Sequence, residues 1–166
     1  MSRYRPPQPR SSPHMTQAGY DALAAELKYL WKEKRPEVTA KVAEAAAQGD
    51  RSENAEYIYG KKQLREIDRR IRYLSKRLDH AEVITRLPAQ RDRVFFGAWV
   101  TIADEAGNEQ RLRLVGTDEA SSQPGYISID APMARALLGK RIDDEVEVRS
   151  PEGSTLYDVV EIEYSE

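Results

Sequence analysis

Three carboxylates stand in a short polar run between two long segments of helical periodicity. Asp50, Glu53 and Glu56 are spaced three residues apart within residues 49–57. Residues three apart lie on about the same side of a helix, so these acids can project together. Carboxylate oxygens suit a hard cation such as Mg²⁺, but two of them hold the ion only weakly in water. One interpretation of the pattern is therefore a donor of acidic ligands to a metal site on another molecule, such as a two-metal phosphoryl-transfer site.

Two other interpretations of these acids are open. Asp50 as the N-cap of a helix and Glu53 at its third position form an acidic variant of the capping box, which satisfies amide donors and complements the helix dipole. Capping and ligand donation are compatible if Asp50 keeps one oxygen free. Alternatively, the acidic run only repels or contacts a basic surface.

Two heptad-patterned segments, residues 16–47 and 52–83, flank the acidic run. Each holds roughly 30 residues, which corresponds to about 45 Å of helix. Thr16 is a suitable N-cap for the first segment. Pro36 has no amide hydrogen, so a bend is expected at residues 32–35. The short Gln-Gly-Asp connection predicts an antiparallel coiled-coil hairpin with the acids at its tip.

The second segment carries a basic stripe beside its apolar seam. Residues 61–77 include eight basic residues and two acidic ones. One interpretation is a solvated coiled-coil flank with ion pairs four residues apart, such as Glu66 with Arg70. The other, favoured by the excess of positive charge, is a grip on a nucleic-acid backbone, with Tyr59 available to stack on a base. The residues assigned to this basic face are Lys61, Lys62, Arg65, Arg69, Arg72 and Lys76.

After about residue 90 the apolar period changes from helical to two. Gly, Asn, Asp and Pro signals separate the strand candidates, and residues 106–108 form a good hairpin turn. Residues 132–138 are typical of a short helix with Pro132 at its first position. The strand candidates are residues 94–102, 110–115, 126–129, 145–149 and 157–164. The second half is therefore predicted to be a small twisted antiparallel sheet with one helix, which makes the chain α+β.

The predicted organisation has four parts. Residues 1–14, with three arginines and four prolines, are expected to be a disordered basic tail. Residues 15–87 form the coiled-coil domain, residues 88–90 the linker and residues 91–166 the sheet domain. In the first 88 residues 18 Lys and Arg oppose 12 Asp and Glu, whereas in the rest 8 oppose 16. The near-neutral total of −2 therefore conceals a polarised molecule.

Composition excludes several classes of protein. The chain has no cysteine, so disulfides, Cys-ligated zinc and thiol catalysis are excluded. With His14 and His80 as its histidines, neither a His-rich metal site nor a Ser-His-Asp triad is expected. No apolar run approaches the roughly 18 residues of a membrane helix. We expect a cytoplasmic protein that does not bind membranes.

Four runs of residues give the chain a family resemblance: 35–38, 49–57, 62–70 and 126–138. With them the chain resembles the bacterial Gre transcript-cleavage factors, most closely the GreB type, over residues 15–164. The resemblance implies that the coiled coil inserts through the secondary channel of RNA polymerase. It also implies that the second domain is FKBP-like and docks outside, on rim helices of the polymerase β′ subunit.

The resemblance further implies separate roles for the factor and the polymerase in RNA cleavage. Asp50 and Glu53 would help to hold the second Mg²⁺ and its water in the polymerase active site, with the ion shared and not stably bound by the factor alone. The polymerase itself then cuts the 3′ end of backtracked nascent RNA and elongation restarts, so the factor is not an enzyme. The basic face would hold the extruded RNA, and Asp130, Pro132 and Met133 would lie on the polymerase-docking surface. The factor is expected to be a monomer.

The chain departs from the family pattern in two places, the Pro-rich head and Ala131, where Ser is expected. Neither touches the chemistry. Two other functions are open: a secondary-channel regulator of RNA polymerase without cleavage activity, and a coiled-coil RNA-binding module. The presence of Asp50 and Glu53 counts against a purely inhibitory tip. Binding to free RNA with a steep salt dependence, without polymerase, would indicate the RNA-binding module.

Overall fold

A computed structural model describes residues 10–49 and 53–165 and divides the chain into two compact units. The helical unit is Tyr20–Ala81, and the sheet unit combines residues 10–19 with residues 82–165. The sequence pattern placed the boundaries elsewhere, before residue 15 and after residue 87. The chain therefore leaves the sheet unit for the helical unit and then returns to it.

Two long helical segments build the helical unit. They are α1 (Gln17–Tyr29), a π-helical turn (Leu30–Lys34) that leads into α2 (Arg35–Ala47), and α3 (Ala55–Asp79). Thr16 caps α1 as predicted, because its Oγ1 accepts a hydrogen bond of 3.0 Å from the Gly19 amide. Within the described part of the chain, no helix is long and apolar enough to cross a membrane.

The bend expected before Pro36 takes the form of the π-helical turn. Pro36 lies in the first turn of α2 and has no amide hydrogen to donate to the preceding turn. The Arg35 amide donates to the Leu30 carbonyl, which is the i→i−5 hydrogen bond of a π-helix. The helical path therefore continues past Pro36, with one widened turn, instead of ending there.

α2 and α3 run antiparallel, as predicted. Val42 lies against Gly60, and Arg35 pairs with Asp68, so contacts nearer the start of α2 fall nearer the end of α3. Gly60 occupies the gap in the heptad seam and is buried. The other buried residues of these two helices are Val38, Ala45, Ile67 and Leu74.

Residues 10–15 belong to the sheet unit, whereas the sequence pattern predicted a disordered tail over residues 1–14. Residues 1–9 of that prediction lie outside the described residues. β1 (His14–Met15) pairs in parallel with β2 (Glu82–Val83). Met15 is 1% exposed, and its burial together with these backbone hydrogen bonds offsets the entropy cost of ordering a Pro-rich segment.

A buried carboxylate connects the start of α1 to the rest of the sheet unit. Glu119 is 7% exposed and ends a short 3₁₀ turn. Its Oε2 accepts hydrogen bonds from the Thr16 amide at 3.0 Å and from the Gly116 amide at 3.1 Å. Its Oε1 accepts one from the Thr16 hydroxyl. The carboxylate is thereby satisfied on both oxygens, as a buried charge requires.

Five strands form the main sheet of the sheet unit. They are β3 (Trp99–Asp104), β4 (Glu109–Val115), β5 (Tyr126–Ser128), β6 (Glu145–Ser150) and β7 (Gly153–Glu163), in the order β5-β4-β3-β7-β6. Neighbouring strands are antiparallel except β4 and β5, which are parallel. The prediction of an antiparallel sheet is therefore wrong for this pair, because residues 116–125 carry the chain back along the sheet instead of reversing it in a hairpin.

The strand predicted from residue 94 begins five residues later, at Trp99. The Ala98 amide donates to the Phe95 carbonyl at 3.1 Å, and Gly97 has a φ of 86°. This tight turn interrupts the alternating pattern before β3 begins. The hairpin turn predicted at residues 106–108 is confirmed, with Gly107 at a φ of 85°.

The short helix α4 (Pro132–Leu137) forms as predicted, and it packs on the sheet. Ala134 and Leu137 are fully buried against the inward-facing residues of the strands. The strand residues of this core are Val100, Ile102, Leu114, Val146 and Val159. The α+β class predicted from the change of period is confirmed.

Candidate functional site

The connection at the end of the hairpin begins with a tight change of direction. α2 ends at Ala47, and the Gln48 amide donates to the Ala45 carbonyl at 3.2 Å. Gly49 follows with a φ of 149°, a conformation that L side chains rarely adopt. Asp50, the first predicted tip acid, lies outside the described residues.

Asn54 is the N-cap of α3, a role that the sequence analysis considered for Asp50. Its Oδ1 accepts a hydrogen bond of 3.1 Å from the Tyr57 amide, and α3 begins at Ala55. Glu53 therefore precedes the cap instead of occupying the third helical position. The prediction of an acidic capping box is wrong. Asn is also a preferred N-cap residue, and Asn54 directly precedes the first helical turn.

Glu53 is an exposed side chain in a turn, next to the cap and outside the helix. The Tyr57 amide in the first turn of α3 does not need the Glu53 carboxylate, since Asn54 accepts its hydrogen bond. Glu56, by contrast, lies in the first turn of α3, where a negative charge complements the helix dipole. The two acids thus have different surroundings, and Glu53 is free to bind an external group.

A complete metal site is absent from residues 10–49 and 53–165. No three His, Asp or Glu side chains in these ranges lie close enough together to hold an ion. Glu53 is a suitable oxygen donor for Mg²⁺, but further donors are needed to complete the shell.

The basic face lies on α3, and all six of its side chains are exposed. Their positions step by one, three, four, three and four residues, so they follow one side of the helix. No ion pair joins any of the six to a carboxylate of the described residues. The face therefore presents cations whose charge is not neutralised by a carboxylate in the part of the chain that the structure describes.

Other arginines of the helical unit do have carboxylate partners. Arg35 Nε donates to Asp68 Oδ1 at 2.8 Å. Arg70 Nη2 and Nε donate to the two oxygens of Glu26 at 2.8 and 3.2 Å. The prediction of an ion pair between Glu66 and Arg70 is wrong, because Arg70 bonds across the hairpin to Glu26 instead. Arg70, which is bonded to Glu26, thus lies on a different side of α3 from the basic face.

Two exposed apolar side chains lie near the tip. Tyr59 is 68% exposed, whereas Tyr57 is half-buried, in agreement with the prediction that Tyr59 is the freer ring. Ile58 is 53% exposed and continues the spacing of the basic face, three residues before Lys61. Ile58 was not among the residues predicted from the sequence, although its position in the stripe could have identified it.

The three predicted docking residues differ in their surroundings. Asp130 is half-buried, and its Oδ2 accepts hydrogen bonds from the Ser12 amide at 2.9 Å and from the Thr117 hydroxyl at 2.8 Å. Pro132 is exposed at the start of α4. Met133 is half-buried and packs against the sheet core. Pro132 is therefore the most accessible of the three, and Asp130 also has a structural role.

Family models match both halves of the chain. The model described as transcription elongation factor, N-terminal, matches residues 14–83. The model described as transcription elongation factor, GreA/GreB, C-term, matches residues 89–164. Together they span the two units almost completely.

Curated relatives agree with these models. A protein of Pseudomonas aeruginosa named transcription elongation factor GreB is 58% identical over 164 residues, which cover 99% of this chain and 98% of that protein. A protein of the same name from Haemophilus ducreyi is 56% identical over 153 residues, covering 92% of this chain and 94% of that protein.

A solved structure is also similar in sequence. The GreA factor homolog 1 (Gfh1) protein of Thermus thermophilus is 27% identical, covers 93% of this chain and 99% of its own, and superposes with a TM-score of 0.42. With a superposition this loose, the sequence matches carry the assignment. On their evidence the chain belongs to the GreA/GreB family of transcription elongation factors.

Proposed function

We propose that this protein enters the secondary channel of RNA polymerase and stimulates Mg²⁺-dependent cleavage of the 3′ end of backtracked nascent RNA. Elongation then resumes from the new 3′ end. The observation that carries the proposal is the position of Glu53, exposed at the end of the hairpin and not needed as a helix cap. Family membership supplies the partner, RNA polymerase, and this geometry supports the role of the tip.

In this proposal Asp50 and Glu53 complete a metal site that belongs to the polymerase. Mg²⁺, when bound there, would stabilise the charge that develops when an RNA phosphodiester is hydrolysed. Glu53 would contribute a carboxylate oxygen to the ion or accept a hydrogen bond from the attacking water. The factor is therefore an accessory protein, because the remaining metal ligands and the nuclease activity are those of the polymerase.

The basic face is proposed to hold the extruded RNA. Lys61 and Lys76 are separated by about 22 Å along the helix, at a rise of about 1.5 Å per residue. Six exposed cations over this length suit a phosphate backbone, which they would bind without reading its sequence. Tyr59, on a neighbouring side of α3 near the tip, is available to stack on an RNA base.

The sheet unit is proposed to dock on the rim of the channel formed by the β′ subunit. Pro132 is the exposed member of the predicted docking set. Asp130 would contribute the carboxylate oxygen that does not accept from Ser12 and Thr117. Met133 would shape the surface from below, since it packs on the core.

RNA shortening in purified backtracked elongation complexes tests this function. We expect the protein to stimulate cleavage with Mg²⁺, and Asp50→Asn and Glu53→Gln each to lower the rate by on the order of a hundredfold, the scale for removing one group that stabilises transition-state charge. Glu44→Gln is the matched control, because Glu44 is an exposed acid near the same end of α2.

Two results would contradict the proposal and indicate the alternatives. Binding to polymerase without any cleavage would indicate a non-cleaving regulator of the secondary channel. Tight, salt-sensitive binding to free RNA without polymerase would instead indicate a coiled-coil RNA-binding module.

A further inference from the structure

We propose that Asn54 is the positioning residue of the tip: its side-chain amide joins the ends of α2 and α3 and so holds Glu53 in the orientation that cleavage requires. This inference rests on the proposed function and deepens it. Asn54 itself does not bind the metal or the RNA. It acts through the residue that precedes it in the chain.

The side chain of Asn54 makes one hydrogen bond to each helix. Its Oδ1 accepts from the Tyr57 amide in the first turn of α3, at 3.1 Å. Its Nδ2 donates to the Ala45 carbonyl in the last turn of α2, at 2.7 Å. The first of these bonds is an ordinary N-cap, but the second crosses the hairpin between residues nine positions apart.

The Ala45 carbonyl accepts two hydrogen bonds from the connection between α2 and α3. It accepts from the Gln48 amide at 3.2 Å as well as from Asn54. Ala45 is 3% exposed, so its carbonyl belongs to the packed part of the hairpin and not to a fraying end. Asn54 therefore anchors the returning chain to a fixed point of α2.

A primary amide is suited to this double role. It presents an acceptor and a donor on one short, planar group, and the two partners determine which end is the oxygen. Aspartate has the acceptor but not the donor when ionised. Serine caps helices well but is one atom shorter, so it cannot serve both partners at the same distances. Asp and Ser variants therefore separate the capping role from the cross-hairpin role.

The consequence for Glu53 follows from chain geometry. Its Cα is about 3.8 Å from that of Asn54, so fixing the side chain of Asn54 at two points restricts where the Glu53 carboxylate can lie. A misplacement of about 1 Å can lower a reaction rate by as much as a hundredfold. Loss of the Ala45 contact should thus affect the cleavage rate without affecting docking.

The first test measures tip geometry without polymerase. The chain has no cysteine, so spin labels can be attached through Ala47→Cys and Glu56→Cys alone. We expect a narrow label-to-label distance distribution with Asn54 and a broader one in Asn54→Ser and Asn54→Asp. Circular dichroism should show that both variants keep their helices, because both retain a cap.

The second test measures cleavage at saturating factor in backtracked complexes. We expect Asn54→Ser to lower the maximal rate by about tenfold to a hundredfold, and to raise the Mg²⁺ concentration needed for half-maximal cleavage. The factor concentration for half-saturation should stay the same, a separation that general destabilisation would not produce. Asn54→Asp should act in the same direction, with Gln48→Glu as the control for one added negative charge near the tip.

The outcomes separate this inference from the proposed function. Suppose that the wild-type protein stimulates cleavage and that Asn54→Ser is equally active, with an equally narrow label-to-label distance distribution. Asn54 would then be only a helix cap. Loss of polymerase binding in Asn54→Ser would also overturn the inference, because it would make Asn54 a docking residue. A wild-type protein that does not stimulate cleavage would overturn the proposed function and this inference together.

Discussion

At the scale of single residues, the closeness of the two long helices depends on one missing side chain. Gly60 lies in the seam of α3, and a Cβ built on it would stand 2.7 Å from Cγ2 of Val42. That distance is shorter than real Cβ contacts, so Val42 occupies the space that any larger residue would need. Gly60 is therefore retained in a helix where glycine is intrinsically unfavourable.

Gly60→Ala should destabilise the protein in spite of the better helix propensity of alanine. Overpacking a well-packed core costs about 1–3 kcal/mol, whereas the gain in propensity is about 1 kcal/mol. We expect the free energy of unfolding, measured with urea, to fall by about 1 kcal/mol. Lys62→Ala, an exposed position on the same helix, is the control and should change stability by less than about 0.5 kcal/mol. A more stable Gly60→Ala protein would show that the helices can separate without cost.

Asp104 is a second residue whose surroundings lead to a measurable effect. It lies at the β3–β4 turn and accepts hydrogen bonds from the amides of Asn108 at 2.9 Å and Ala106 at 3.0 Å. The Asn108 side chain also donates to it, at 3.1 Å. These bonds, those from Asn108 first, lower the pKa of Asp104 below its ordinary value of 3.8.

The lowered pKa predicts a contribution to acid sensitivity. The folded state binds fewer protons at Asp104 than the unfolded state, so the stabilisation is present above the ordinary carboxyl pKa and is lost as pH falls through the folded-state pKa. Asp104→Asn should flatten the acid side of the stability profile, measured by urea unfolding at a series of pH values. Glu105→Gln, which removes the next carboxylate in the turn, should leave the profile as it is. Identical acid profiles for Asp104→Asn and the wild type would contradict this assignment.

At the scale of elements, α3 combines two functions on separate sides. Its apolar seam, with Ile67 and Leu74 buried, packs against the first helical segment. Its basic face stays exposed, and its six cations are unpaired within the described chain. Arg70 lies between these two sides and is held by Glu26. One helix thereby forms both the rigid support and a charged surface.

Arg65→Ala with Arg69→Ala should weaken contact with extruded RNA more than it weakens the fold. Exposed charges contribute under about 1 kcal/mol to stability, so the melting temperature should change little. The slope of log affinity against log salt should become shallower by about 1 to 2 units, as expected for two lost phosphate contacts. Crosslinking of the RNA 3′ segment at increasing salt provides the measurement.

Arg70→Ala is the matched control for this pair. It removes one cation that is bonded to Glu26, an exposed ion pair worth under about 1 kcal/mol, so the melting temperature should fall only slightly while the salt dependence of RNA contact stays the same. A large drop in melting temperature for Arg65→Ala and Arg69→Ala would instead identify them as structural.

At the scale of the whole molecule, the described residues before Tyr20 and after Ala81 belong to the same unit. Residues 10–15 pair with β2 and hydrogen-bond to Asp130. Thr16, the residue before α1, donates its amide hydrogen to the carboxylate of Glu119. Gly19 belongs to this arrangement as well, since a Cβ on it would lie 2.3 Å from the Glu119 side chain. The start of the helical segment is therefore built into the sheet unit and does not simply precede it.

Met15→Ala should destabilise the sheet unit. Met15 is fully buried, and truncation of a buried methionine costs about 2–5 kcal/mol. The chain has two tryptophans, Trp31 in the helical unit and Trp99 in the sheet unit, so Trp31→Phe leaves a reporter of the sheet unit alone. Urea unfolding followed by Trp99 fluorescence should shift to lower urea. Met15→Leu conserves most of the volume and should cost less than about 1.5 kcal/mol. An unchanged Trp99 transition would show that β1 is dispensable.

Features that depend on neighbours in the chain could be predicted from the sequence. Thr16 is a cap because of its own hydroxyl and the three residues that follow it, and Pro132 begins α4 because its ring suits a first helical turn. The gap at Gly60 was visible because heptad spacing shows which positions face the partner helix. The exposed basic face followed from the same spacing.

Features whose partners are distant in the chain needed the tertiary structure. Asn54 was overlooked as a cap because Asp50 and Glu53 also satisfy the local preference, and only its contact with Ala45 distinguishes it. The carboxylate of Glu119 and the ordered segment before α1 depend on each other across about a hundred residues. The parallel pairing of β5 with β4 depends on the path of the connection between them.

By itself, therefore, the sequence determined the hairpin, the change from helices to strands, the polarised charge and the acidic run, because periodicity and composition act over short distances. The tertiary structure decided which residue caps α3, which arginines are neutralised and where the amino-terminal segment packs. In each case several chemically similar groups could make the same contact. The group that makes it is the one that folding brings within hydrogen-bonding distance of its partner.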